Sequence, residues 1–82
     1  MALTVYTTSW CGPCRRLKSQ LTREGIAFAE VDIEADPAAA RFVMSVNNGN
    51  QVVPTVVIKT PQGDVVRTNP SAREVKALLQ PA

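Results

Sequence analysis

Histidine is absent from this 82-residue chain, and cysteine occurs only twice, at Cys11 and Cys14. Structural zinc takes four ligands, mostly cysteine and histidine, so one copy cannot close such a site and zinc would need two chains. A small secreted disulfide scaffold wants four or more cysteines at wider spacing. A Cys11–Cys14 bridge would close only a tiny loop and restrict the unfolded chain little. The pair therefore reads as chemistry. Long apolar runs are missing too, and nothing approaches the roughly 20 residues of a membrane span. Met1-Ala2-Leu3-Thr4-Val5 lacks a basic leader, so no signal peptide is expected. A net charge of +2 is too small to argue for nucleic acid. A reducing cytoplasm is the expected location, and there a C-x-x-C is catalytic or metal-binding rather than a staple.

What is present is an ordinary globular composition, 45% apolar and 20% charged. No repeat, low-complexity tract or linker interrupts it, so residues 1–82 are expected to form one domain and a monomer. Leu3 to Thr7 alternates as a strand. A helix follows from Cys11 or Gly12 to Arg23, with Pro13 in its first turn, Leu17 and Leu21 on its buried side and Gly25 as its stop. Ile26 to Ile33 reads as a second strand. Asp36-Pro37 caps and opens a second helix reaching about Val46, with Phe42, Val43 and Val46 inward. Asn47 to Asn50 is turn-forming. A third strand begins at Thr55 and turns at Pro61-Gln62-Gly63 into a fourth, Asp64 to Thr68. Ser71-Ala72-Arg73-Glu74 has the pattern of a capping box ahead of a last helix packed through Val75, Leu78 and Leu79.

Two strands joined through a helix should be parallel, and two joined by a tight turn antiparallel. The expected fold is thus α/β, with a four-stranded mixed sheet, helices on both faces, and Cys11 at the carboxyl end of the first strand. Sites in α/β sheets lie at such ends. There Cys11 would face the unsatisfied N–H groups and positive dipole of a helix start, which favour a thiolate. Arg15, Arg16, Lys18 and Arg23 follow closely, and either add positive charge near the sulfur or simply form a solvated face. Cys14, one turn on, could reach Cys11. We therefore expect Cys11 to attack and Cys14 to resolve, with Gly12 adding little bulk and Pro13 stiffening the turn. Pro54 interrupts a β-branched run, which predicts a cis Val53–Pro54 bond that frees the Val53 backbone to pair with a bound thiol. The alternative is a trans proline on an edge strand.

Taken together, Tyr6-Thr7-Thr8-Ser9-Trp10-Cys11-Gly12-Pro13-Cys14, then Val53-Pro54-Thr55, then a turn and a last helix resemble the glutaredoxin branch of the thioredoxin superfamily. Val31-Asp32-Ile33-Glu34, Ser45 to Asn50 and Thr68-Asn69-Pro70-Ser71 are more specifically similar to the actinobacterial mycoredoxins. The resemblance implies a thiol–disulfide oxidoreductase of β-α-β-α-β-β-α order. It implies no tightly bound cofactor, mycothiol as the low-molecular-weight co-substrate, and protein mixed disulfides as partners. It also implies a substrate thiol lying over Val53, Pro54 and Thr55, with Asn69, Pro70 and Ser71 at its polar end and Trp10 as an aromatic wall. Ser71 would serve equally as a plain helix cap, and Trp10 as plain packing.

The departures matter as well. Gly12-Pro13 is the thioredoxin spacer, whereas Val5 stands where thioredoxins bury an acid. Glutaredoxins commonly carry a Gly-Gly pair with an aspartate where Asn69-Pro70-Ser71 stands here. Many also have a basic residue where Thr7 and Thr8 stand. Both differences weaken glutathione as the thiol. A dithiol reductant recharged by a flavoprotein reductase, and an iron–sulfur carrier joining two chains through Cys11, are the other readings.

Overall fold

The structure, a computed structural model, describes residues 2–79; Met1 and residues 80–82 lie outside the described residues. Seven elements follow in the order β1 (Leu3–Thr7), α1 (Gly12–Arg23), β2 (Ala29–Asp32), α2 (Pro37–Ser45), β3 (Thr55–Thr60), β4 (Gly63–Thr68) and α3 (Ala72–Leu79). The strands form one sheet ordered β2-β1-β3-β4. β1 is parallel to β2, with Thr4 opposite Ala29, and antiparallel to β3, with Val5 opposite Val56. β3 and β4 form the expected antiparallel hairpin, with Thr55 opposite Thr68.

Strand alternation divides the interior into two layers. Leu3, Val5, Val56 and Ile58 meet Leu17 and Leu21 of α1 and Ala72 and Val75 of α3 on one face. On the other face Tyr6, Val31 and Val53 pack with Ile33 and with Ala39, Phe42 and Val43 of α2. The rings of Tyr6 and Phe42 lie 5.1 Å apart in a tilted pair, a favourable aromatic arrangement. Leu21 has no exposed surface at the centre of the first layer. Leu21→Ala is expected to lower the unfolding free energy by about 2–5 kcal/mol, a large share of what a small domain has. Urea unfolding would show it. A midpoint equal to the wild type would mean that α1 does not anchor the core.

Local chemistry explains the helix ends. Asp36 accepts hydrogen bonds from the N–H groups of Ala38 and Ala39 at 3.0 and 3.2 Å, capping α2. Gly25, at φ 72°, turns the chain out of α1, and the Ile26 N–H closes on the Leu21 carbonyl at 2.9 Å. That closure corrects the expected second strand. Ile26 and Phe28 pack against the core from a connecting segment, and pairing with β1 starts only at Ala29. Val46 is a second correction: it lies just past α2 and is 39% exposed. The capping box is half made. Ser71 Oγ accepts from the Glu74 N–H at 3.0 Å, but the Glu74 carboxylate takes Arg67 at 3.2 Å.

Candidate active site

β1 ends at Thr7, and Thr8-Ser9-Trp10 carries the chain to Cys11, which caps α1 in an extended conformation. Capping oxygens usually take this place; here the Cys11 Sγ accepts the Cys14 N–H at 3.1 Å. Pro13 sits in the first turn, where a missing N–H costs no hydrogen bond. The two cysteines are joined as a disulfide, their Cα atoms 5.2 Å apart. Both are buried, Cys11 to 3% and Cys14 to 0% exposure, which their polar neighbours in sequence do not suggest. The Sγ of Cys11 therefore lies at a helix start, where a donated N–H and the dipole both favour negative charge. A Cβ on Gly12 would meet nothing within 4 Å, so a side chain there would be accommodated.

The Val53–Pro54 peptide bond is cis, as expected from its place in the run. The Val53 carbonyl oxygen lies 3.7 Å from the Cys11 Sγ, and Val53 has no backbone partner among the described residues. Pro54 is buried beneath. Thr55, expected to touch the substrate, is fully buried, and its hydroxyl donates to the Val52 carbonyl at 2.7 Å. It shapes the loop from within instead of facing a ligand. Asn69, at φ 50°, donates its N–H to the Pro54 carbonyl at 2.7 Å and so draws the Asn69-Pro70-Ser71 turn against the proline loop. A cavity of about 280 Å³ opens there, lined by that turn and by Pro13, Arg16, Leu17 and Gln20 of α1.

Trp10 does not pack inward; it is 66% exposed beside the disulfide, with Nε1 donating to Glu34 at 3.1 Å. The basic run divides. Lys18 pairs with Glu30 of β2, so its charge is matched there instead of standing free for the sulfur. Arg15 and Arg16 are exposed on α1, and Arg16 borders the cavity. Thr8, where glutaredoxins often have a basic residue, is buried with its hydroxyl unpartnered among the described residues. Sequence reasoning missed Asn47. It lies beyond α2 in the expected turn, yet its side chain bonds to three separate segments. The only local sign of it is an asparagine following a helix end.

A disulfide at the start of α1, under a cis-proline loop on a four-stranded mixed sheet, defines a thioredoxin-fold thiol–disulfide oxidoreductase. Residues 3–61 match the glutaredoxin family model, and the chain belongs to the glutaredoxin family. It is 63% identical over 78 residues to a Mycobacterium tuberculosis protein described as a glutaredoxin, covering 95% of this chain and 89% of that one. It is 40% identical over 78 residues to mycoredoxin 1 of Corynebacterium glutamicum, covering 95% and 92% respectively. The glutaredoxin-like NrdH-redoxin of Escherichia coli shares the fold with a TM-score of 0.78 at 24% identity, covering 100% of this chain and 99% of that one. Glutaredoxins use a low-molecular-weight thiol as co-substrate and act on mixed disulfides between that thiol and proteins.

Proposed function

We propose that this chain is a single-domain, mycothiol-dependent glutaredoxin-type enzyme that removes mycothiol from protein mixed disulfides in a reducing cytoplasm. The Cys11 thiolate attacks the mycothiol sulfur of the mixed disulfide. A Cys11–mycothiol disulfide forms, the original bond breaks, and the protein leaves as a thiolate that takes up a proton. A second mycothiol thiolate then attacks that sulfur, giving the mycothiol disulfide and restoring Cys11. Alternatively, the Cys14 thiolate attacks the Cys11 sulfur, the Cys11–mycothiol bond breaks, mycothiol leaves as a thiolate that takes up a proton, and the disulfide present in the structure closes.

The observation that carries the thiol assignment is the cavity between α1 and the Asn69-Pro70-Ser71 turn, which reaches Pro13 of the Cys11–Cys14 spacer. Its polar lining among the described residues is Arg16, Gln20, Asn69 and Ser71, without a carboxylate. A γ-glutamyl amine would find no anion to pair with, whereas the hydroxyls of a sugar-bearing thiol suit amide and hydroxyl partners. The 40% identity to mycoredoxin 1 agrees with this reading. Offering one protein as its mycothiol, glutathione or bacillithiol mixed disulfide tests it. Mycothiol should be favoured in kcat/KM by about tenfold or more. Equal rates with glutathione would overturn the assignment. A second reading, a dithiol reductant of protein disulfides recharged by a flavoprotein reductase, is favoured by the Gly12-Pro13 spacer and the closed Cys11–Cys14 pair.

A further inference from the structure

Asn47 is half-buried at the exit of α2, two residues past Ser45, and faces the strand ends beneath the site. Its Nδ2 donates to the Val43 carbonyl at 2.8 Å and to Thr55 Oγ1 at 3.1 Å. Its Oδ1 accepts from Thr68 Oγ1 at 2.7 Å. The orientation of the amide is determined by chemistry: Val43 offers only a carbonyl, so the NH₂ must face it. Thr55 has a single hydroxyl proton, which goes to the Val52 carbonyl, so its oxygen is left to accept from Asn47.

These bonds close a ring. From Asn47 it runs through Thr55 to Val52, along the backbone to Pro54, and across to Asn69 by the 2.7 Å N–H bond. It returns through Thr68, the neighbour of Asn69 and the partner of Thr55 across the β3–β4 ladder. Val53 brings its carbonyl to 3.7 Å from the Cys11 Sγ, and Asn69 to Ser71 line the cavity together with α1. One amide therefore ties both segments to the end of α2. Directional bonds in series reinforce one another, so the ring should behave as a unit.

We propose that Asn47 is a positioning residue that sets the cis-proline loop and the Asn69-Pro70-Ser71 turn relative to one another, and thereby the binding of the small-thiol mixed disulfide. Cys11 takes its own hydrogen bond from the Cys14 N–H on α1, outside the ring, and the ring meets its sulfur through the Val53 carbonyl, a long contact at 3.7 Å. Loss of Asn47 should weaken substrate binding and leave the ionisation of Cys11 alone. The inference rests on glutaredoxin-type activity and not on which thiol is used. Its substrate is a peptide mixed disulfide of whichever thiol the wild type turns over. It is read as a variant-to-wild-type ratio, so a failed mycothiol assignment would be seen separately in the wild type.

Asn47→Ala, Thr68→Val and Thr68→Ser test it. For Asn47→Ala, KM should rise about tenfold with kcat within about twofold, the pattern of lost uniform binding. Thr68→Val opens one arm of the ring at an exposed position and should raise KM about threefold, and Thr68→Ser, which keeps the hydroxyl, should restore it. The ultraviolet titration of the Cys11 thiolate should superimpose on the wild type in all three. Three results would overturn the proposal: unchanged KM in folded Asn47→Ala and Thr68→Val, a displaced thiolate titration, or no recovery in Thr68→Ser.

Discussion

Cys11→Ser is expected to abolish turnover on mixed disulfides, lowering it by about 10³-fold or more. Exchange needs an ionised nucleophile that can also hold the departing thiol in a disulfide. A serine oxygen does neither at neutral pH, and a chain without histidine offers no imidazole to draw its proton. The fold should survive. Serine is a preferred helix cap, so its oxygen can take over the Cys14 N–H that Cys11 Sγ now accepts. The lost bridge spans only three positions and contributes little through chain entropy. A thermal midpoint near that of the reduced wild type, combined with lost activity, would place the effect in the chemistry. Activity within tenfold of the wild type would mean that another sulfur attacks.

Much of this site can be read from local sequence because local physics builds it. A proline two residues after a cysteine, leucines four apart and a glycine stop specify α1 with little help from distant residues. A lone proline in a β-branched run marks the loop that faces Cys11. The features that escaped are those set by meetings across the fold. Ile26 and Phe28 look like strand residues, but the closure of α1 on Gly25 holds them off the ladder until Ala29. Glu74 is spaced for a capping box, yet Arg67 on the neighbouring strand takes its carboxylate. Lys18 is near Cys11 in sequence and is turned toward Glu30 by the packing of α1 on the sheet. Thr55 follows the cis bond and so suggests ligand contact, while strand alternation points it into the interior. Asn47 is the clearest case: a turn-forming asparagine by composition, it gains its partners only when α2, β3 and β4 converge.

Cys14→Ser should separate the two cycles open to this enzyme. Cys14 is wholly buried behind Cys11, one helical turn on, so its sulfur can reach only Cys11. The backbone N–H that it donates to the Cys11 Sγ is unaffected by the substitution, so Cys11 should stay as reactive as in the wild type. Reduction of a protein disulfide leaves Cys11 in a mixed disulfide with a large partner, from which only Cys14 can free it. That activity should fall by about 10³-fold in Cys14→Ser. On the proposed mycothiol reading, removal of mycothiol from a protein needs only a second mycothiol. It should stay within about fivefold of the wild type. The variant should also accumulate a Cys11–mycothiol adduct when free mycothiol is limiting, visible as a mass increase on the intact protein. If both activities fall together, Cys14 resolves every cycle and the dithiol reading replaces the monothiol one. If mixed-disulfide turnover persists with the adduct present, Cys11 carries the small-thiol cycle alone, and Cys14 serves substrates too bulky for a second thiol to reach the bond.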